Sequence, residues 1–467
     1  MSFIVYDLIF LAAFILTLVI FLYSNKKRIQ RQGLLYLYRT NIGVKIIDKT
    51  AKKYPGLLGF LQYVSVTCGY ILMGAIIWVL AKFTYFYLQS PTLAKELKAP
   101  ILLPLVPYVD RLFGNNILPP FYFTYWILII AIIAIPHEFA HGIFARLNKI
   151  KVRSTGFGFL GPFLAAFVEP DDKQMEKLKK FPQLSILSAG TFANIIFGIL
   201  SALLLWGFFA AAFTPAGVLF NSYSVSAINL SDIKTIEGAP FLGSLSLDST
   251  NITLLKINTI DNKEFLIPPS VLEDDIKINQ SSIIVYDNSP ALKAKLSGAI
   301  IELDGEKITS VEDLGNAIHS HNPGDSVEIK TISKTEEIKF YNITFDEKDG
   351  KAFLGIGVIP IERKGFSGWI YSIITKVKEP SVYYQSSLDN LGIFIYDLLW
   401  WLVLINFSVA LFNMIPMGMF DGGRFFYLTV LGLTGSKKIA ETAFKISTWA
   451  ILLIVFLLMF KWLLIFF

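Results

Sequence analysis

The chain is poor in cysteine, in charge and in basic-aromatic clusters. Cys68 is its single cysteine. One thiol excludes an intramolecular disulfide and any zinc cluster built from several cysteines; it reads as a packed core thiol. Asp, Glu, Lys and Arg make up 17% of the 467 residues, below the roughly 25% of an average soluble domain. Apolar residues make up 54%, which argues against a wholly soluble globule and for a polytopic membrane protein with a soluble portion. The net charge is +6, and no basic stretch carries interleaved aromatics, so nucleic acid is not expected as a partner.

Six runs are long and apolar enough to span a bilayer: about 3–23, 57–88, 121–147, 184–213, 391–416 and 444–466. The first lacks a basic n-region and a small-residue cleavage site, and Lys26, Lys27, Arg28 and Arg31 follow it. It is expected to be a retained anchor with its N-terminus outside. Segment 24–56 is rich in Lys and Arg against Asp48 alone, and segment 148–183 is also rich in Lys. Segments 89–120 and 417–443 do not differ by this count. The two rich segments place themselves inside by the positive-inside rule. Segment 214–390 is then extracytoplasmic.

That segment is a different material, rich in Ser, Asn, Asp, Thr and β-branched residues, with turn signals at Asp304-Gly305 and Pro323-Gly324. Sequons at Asn229, Asn251, Asn279 and Asn342 fit an external location. Ser289-Pro290-Ala291 opens a short helix, strands follow, and Thr309-Ser310 caps an amphipathic helix before the turn Pro323-Gly324-Asp325. This order resembles a PDZ domain over 287–365, with a fainter copy over 214–286. The alternative is a generic β-rich domain. Segment 366–390, with Trp369, Tyr371, Tyr383 and Tyr384 among Lys and Glu, reads as an interfacial helix or helix pair, or as an ordinary exposed helix.

The third apolar run ends in His137-Glu138-Phe139-Ala140-His141. On a helix the two histidines lie about 40° apart around the axis, so both imidazoles reach one metal ion. Glu138 is offset and reaches water on the metal. Such a motif also arises by chance on exposed helices. Here the flanks are Ile, Ala and Phe, where unpartnered polar groups cost several kcal/mol, on the order of 2–7 each. A catalytic zinc needs three protein ligands and an open position. Glu169 and Glu176 lie in the Lys-rich loop, and His319 and His321 lie in the external segment. Asp421 is the better candidate: it follows an apolar run, after Pro416 and Gly418 and before Gly422-Gly423, where a broken helix delivers it at membrane depth. The alternative for Asp421 is a helix cap at the bilayer surface.

At these residues the chain resembles the site-2 protease family of intramembrane zinc metalloproteases. The motifs are His137-Glu138-x-x-His141, Ala189-Gly190-Thr-Phe-Ala-Asn194 and Asn413-Met-Ile-Pro416 leading to Phe420-Asp421-Gly422. Phe420 stands where the family commonly has Leu, a tolerable apolar exchange. The resemblance implies Zn2+ held by His137, His141 and Asp421, with Glu138 as catalytic base. Asn194 and Asn413 are candidates for positioning substrate or oxyanion, or for interhelical hydrogen bonds; Asn406 is a lesser candidate. The resemblance also implies a membrane-associated β-hairpin over 156–168, whose edge would take an unwound substrate by strand addition. Proline at interior residues such as Ala165 is expected to impair cleavage and spare zinc.

The expected fold is a polytopic α-helical membrane protein of about six transmembrane helices with an extracytoplasmic α+β PDZ-like insertion. Its parts are 1–120, an N-terminal transmembrane pair and loops; 121–213, the core with the zinc motif and second core helix; 214–286 and 287–365, the PDZ-like pair; 366–390, an interfacial linker; 391–435, the Asp-Gly helix; and 436–467, a C-terminal transmembrane helix. The expected activity is intramembrane zinc proteolysis on membrane-spanning protein substrates in a cell membrane, with the active site towards the cytoplasm. The PDZ-like domain is expected to take a peptide ligand. One rival is a membrane metalloprotease of another family acting on soluble or misfolded chains, in which Asp421 is dispensable for zinc. The other is a non-enzymatic scaffold or transporter that binds no zinc.

Overall fold

The computed structural model describes residues 3–33, 35–89, 106–108, 119–160, 163–237, 239–240, 254–269, 271–272, 281–333, 336–358, 368, 371–372 and 375–464. The helices are α1 (Phe3–Ser24), α2 (Ile42–Lys53), α3 (Pro55–Gln89), α4 (Phe123–Leu147), α5 (Asp172–Glu176), α6 (Lys180–Ala212), α7 (Pro290–Lys293), α8 (Val311–His319), α9 (Asp389–Asn413), α10 (Asp421–Thr434) and α11 (Lys437–Leu463). Among the described residues, α1, α3, α4, α6, α9 and α11 are long and apolar enough to cross a membrane. The chain divides into two compact units, 1–207 with 394–467, and 208–393.

In the first unit the spanning helices are apolar nearly all round, so polar side chains mark their contacts. Ser65 on α3 and Ser188 on α6 share a buried hydrogen bond of 2.8 Å. Asp7 on α1 is 1% exposed. Its carboxylate accepts from the backbone N–H groups of Phe123 and Thr124 at 2.8 and 2.9 Å, and from the Tyr108 hydroxyl at 2.6 Å. The first N–H groups of a helix have no partner within it. Asp7 therefore caps α4 from another helix, with charge suited to the helix N-terminus. Phe14 packs on Phe123 beside it, ring centroids 5.2 Å apart.

A four-stranded sheet packs on the other end of α4 through β4 and β3: β1 (Ile29–Gln32), β2 (Leu35–Thr40), β3 (Val152–Leu160) and β4 (Phe163–Pro170), antiparallel in that order. The hairpin implied over 156–168 is thus present as β3 and β4. Its extension by β1 and β2 is a structural finding: segment 24–56 is folded, not a plain basic loop. Arg39 on β2 forms a two-point ion pair with Glu169 on β4, at 3.0 and 2.9 Å, and Ser154 donates to the same carboxylate at 2.6 Å. The Arg39 guanidinium holds the Glu169 carboxyl below the usual carboxylate range. On α2 the stripe Gly43, Ile47 and Ala51 is buried, and Asp48 pairs with Arg146 near the end of α4, 2.7 Å between Oδ2 and the guanidinium.

The second unit contains β5 (Phe213–Val218), β6 (Ser222–Tyr223), β7 (Val225–Asn229), β8 (Ile233–Ile236), β9 (Ala239–Pro240), β10 (Leu255–Thr259), β11 (Glu264–Ile267), β12 (Ser282–Asp287), β13 (Ala299–Leu303), β14 (Glu306–Lys307), β15 (Ser326–Ile332), β16 (Ile338–Thr344), β17 (Asp346–Lys348), β18 (Lys351–Phe353), β19 (Ile356–Gly357) and β20 (Val382–Ser386). One sheet runs β7-β12-β11-β10-β8-β9 and another β16-β15-β13-β5-β20. Each covers its own apolar core, around Leu255, Ile257 and Ile283 in the first and Ile300, Ile329 and Leu303 in the second. Ser310 caps α8 in a capping box with Asp313, as the Thr309-Ser310 pattern predicts.

Segment 366–390 is part helix and part strand: the described residues 368, 371, 372 and 375 are helical, as expected, and the stretch that follows them is not. Residues 382–386 form β20, an edge strand paired with β5, and Tyr383 and Tyr384 lie on it. Aromatic residues with β-branched neighbours pack as well on a sheet as at a lipid surface. Trp369 lies outside the described residues.

Replacing Asp7 with Leu takes the acceptor from the Phe123 and Thr124 N–H groups, at a cost of about 2 kcal/mol or more. Thermal unfolding of the purified protein in detergent should show a lower midpoint for Asp7→Leu than for Asp7→Asn, which keeps an acceptor. Equal midpoints for wild type and Asp7→Leu would contradict the capping role.

Candidate metal centre

Helical spacing brings His137 and His141 onto one face of α4, about two to three turns before its end, with Pro136 tolerated just before them. Their Nε2 atoms are 3.1 Å apart. Asp421 is the first residue of α10. Its Oδ2 lies 3.5 Å from His137 Nε2 and 3.3 Å from His141 Nε2. These three are the group among the described residues whose ligand atoms could hold a metal ion. A tetrahedral ion with bonds of about 2.0–2.1 Å places its ligand atoms about 3.3–3.4 Å from one another. The three observed separations match that edge, so a zinc-sized ion fits between them.

The donor chemistry fits as well. His141 Nδ1 lies 2.6 Å from the Ile186 carbonyl oxygen on α6. A carbonyl only accepts, so Nδ1 carries the proton and Nε2 keeps its lone pair for a metal. Between Ile186 and Asn194, Gly190 lets α6 lie flush against both imidazoles: a Cβ there would be 2.5 Å from His137 Nε2.

Asp421 owes its position to a broken helix. α9 ends at Asn413, and residues 414–420 turn before α10 starts. The Pro416 carbonyl accepts from Ser447 on α11 at 2.9 Å. Gly422 packs directly on the turn, where a Cβ would lie 2.6 Å from the Ile415 oxygen. Asp421 is thus at a helix N-terminus, as in its alternative reading as a cap, but its carboxylate is aimed at the imidazoles.

Glu138 is not one of the three clustered ligand atoms. Its Oε2 accepts from the Val168 N–H on β4 at 3.0 Å. Glu138, His137, Asp421 and Asn413 line a cavity of about 360 Å³ whose other walls are mainly apolar, including Ile130 and Ile133 of α4, and Ile405 and Val409 of α9. Ala165 and Ala166 of β4 also face it. β4 is the edge of its sheet, and antiparallel pairs alternate between those that bond each other and those that point away. Val168 N–H points to Glu138, away from β3. By the same alternation Ala166 and Leu164 present their N–H and C=O groups at the free edge, whereas Ala165 faces Gly158 on β3.

The other candidates fall into place around this centre. Asn413 lines the cavity. Asn194 is 1% exposed and is not among the residues lining it; its Nδ2 lies 3.0 Å from His137 Nδ1, behind the imidazole. Asn406 is fully buried and donates to the Leu402 carbonyl at 2.8 Å. Glu169 is engaged by Arg39 and Ser154. His319 and His321 belong to the second unit. The Ile186 carbonyl and the Val168 amide are backbone groups and carried no signal in the sequence; Gly190, four residues before Asn194 in an apolar helix, was the visible trace of the close packing.

Comparison with known proteins places the chain in a family. An uncharacterized protein of Methanocaldococcus jannaschii is 28% identical over 413 residues, which take in 86% of this chain and 80% of that one. Residues 125–458, from α4 to near the end of α11, match peptidase family M50. With most of its length matched and with its His-His-Asp group inside the match, the chain belongs to peptidase family M50, the site-2 protease family of membrane metalloproteases.

Proposed function

We propose that the protein is a zinc endopeptidase that hydrolyses a peptide bond in the membrane-spanning segment of another protein. The observation that carries this reading is the triangle of ligand atoms 3.1–3.5 Å on a side, formed by a membrane-length apolar helix, α4, and the start of α10, just after the membrane-length α9. His137, His141 and Asp421 would hold the ion. Zinc held there supplies Lewis acidity: it makes water acidic near pH 7 and polarises a carbonyl. Glu138 takes the proton of the attacking water on the carboxylate oxygen left free by Val168. The C–O bond forms, the C–N bond breaks, and Glu138 returns the proton to the leaving amine. Asn413, on the cavity wall, is placed to donate to a substrate carbonyl or to the developing oxyanion.

The free edge of β4 supports an extended substrate. A peptide bond within a helix has its carbonyl and N–H engaged, so a spanning helix must unwind before it is cut. Ala166 and Leu164 offer the replacement partners by strand addition, beside an apolar cavity. The edge stops at Val168, whose N–H already holds the base.

We propose further that the second unit, on the extracytoplasmic side, holds a PDZ-like domain over 287–365 that selects substrate tails. The support is the order α7, β13, β14, α8, β15 around the second sheet, to which β12 does not belong, and the Lys and Arg of segments 24–56 and 148–183, which orient the spans.

Three outcomes test these readings. Purified protein should contain zinc, and Glu138→Gln should retain it while cleaving a spanning test helix about 10²–10⁴-fold more slowly; equal rates would refute the base, and absence of zinc would refute the centre. Ala166→Pro removes an edge donor and should lower cleavage about tenfold with zinc retained. Ala165→Pro should instead disturb the β3–β4 ladder and lower the melting temperature; the reverse pattern contradicts the assigned edge. Protease added to intact cells should clip the second unit, and deleting residues 216–362 should change which substrates are cut while zinc stays bound. Unchanged selection would give that unit another role.

A further inference from the structure

Asn194 has an unusual set of neighbours for a buried amide. It lies on α6 at 1% exposure, its Nδ2 is 3.0 Å from His137 Nδ1, and its Oδ1 is buried with no hydrogen-bond partner. Ile186, Gly190 and Asn194 follow one another at four-residue intervals, so they share one face of α6. Ile186 fixes His141 through its carbonyl, and Gly190 removes the side chain that would strike both imidazoles. The third position of this face meets the one remaining imidazole nitrogen, His137 Nδ1.

We infer that Asn194 is a positioning residue for the metal centre: its side-chain oxygen accepts the Nδ1 proton of His137, which keeps Nε2 free for zinc and fixes the ring plane. This deepens the zinc reading above and rests on it. An imidazole that gives Nε2 to a metal carries its proton on Nδ1. An amide N–H2 facing that nitrogen then sets donor against donor. The two ends of an amide are nearly the same size, so a half-turn of the side chain exchanges them without altering the packing. With the N–H2 towards the ring, the oxygen at the far end lacks a hydrogen-bond partner, so no hydrogen bond at that end holds the amide in that orientation. The proton on His137 chooses between the two. With Nδ1–H present, the oxygen faces the ring and accepts.

This gives the two histidines matching supports from one helix, a main-chain carbonyl for His141 and a side-chain carbonyl for His137. It also separates Asn194 from Asn413. Asn413 faces the cavity where a substrate would lie; Asn194 lies behind the imidazole and acts through it.

The test uses the full-length protein in detergent. Zinc affinity is measured by competition with a chromophoric chelator for wild type, Asn194→Leu and Asn194→Asp, with melting of the metal-free forms alongside. Asn194→Leu removes the acceptor and should bind zinc about 10–100-fold more weakly, whereas Asn194→Asp keeps an acceptor and should stay within about threefold of wild type. The metal-free melting temperatures should be close to one another. Wild-type zinc affinity in Asn194→Leu overturns the inference, and so does a loss in Asn194→Asp equal to that in Asn194→Leu. A metal-free Asn194→Leu that melts far below wild type makes the amide a packing element, which also overturns it. A raised KM for a test substrate with zinc affinity intact would make Asn194 a substrate contact instead. A wild type that binds no zinc fails the parent reading itself, an outcome distinct from all of these.

Discussion

Two imidazoles and a carboxylate meet within 3.5 Å of one another between membrane-length apolar helices, and much of the first unit is arranged to make that possible. Ionisable groups packed among apolar helices are expensive and need partners. The three groups come from positions 137, 141 and 421. The α4 helix supplies two by its own periodicity. The third requires a helix that stops, turns through residues 414–420 and restarts with its first residue aimed inward. Gly190 and Gly422 remove side chains at the two places where the backbone must come closest.

The catalytic and substrate-binding parts of the proposed enzyme are joined by one hydrogen bond. Val168 on the sheet edge holds Glu138 on α4. The sheet is stiffened behind that edge by the Arg39–Glu169 pair and by β1 and β2. Under the proposed reading, a substrate strand added to β4 would be registered against Glu138 itself. At the far end of α4, Asp7 satisfies the helix N-terminus from α1, so the helix that carries the histidines is fixed at both ends.

The fold was legible where chemistry and periodicity agree. The six apolar runs are legible because backbone in lipid has few options other than a helix. His137, Glu138 and His141 are legible because helical spacing alone brings them together. Asp421 was found by a different signal, an acidic residue after Pro416 and Gly418 at the end of an apolar run. What stayed hidden was backbone and context. Strand β1 is short and polar, and the pairing of β2 with β3 spans more than a hundred residues, so segment 24–56 read as a basic loop. Tyr383 and Tyr384 suit a lipid surface or a strand equally, and only β5 decides. The Ile186 carbonyl and the Val168 amide have no side-chain signature. Asn194 was recognised as a polar residue out of place, but its partner, the far nitrogen of His137, is a matter of which helix faces lie together.

The most direct test of the central claim is zinc K-edge absorption on the purified protein and on Asp421→Ala. The account predicts a four-coordinate ion with two imidazoles and two oxygen ligands at about 2.0–2.2 Å, of which the substitution removes one protein oxygen or the ion itself. A zinc shell that is the same in both proteins would show that the third ligand lies elsewhere and would contradict the centre described here.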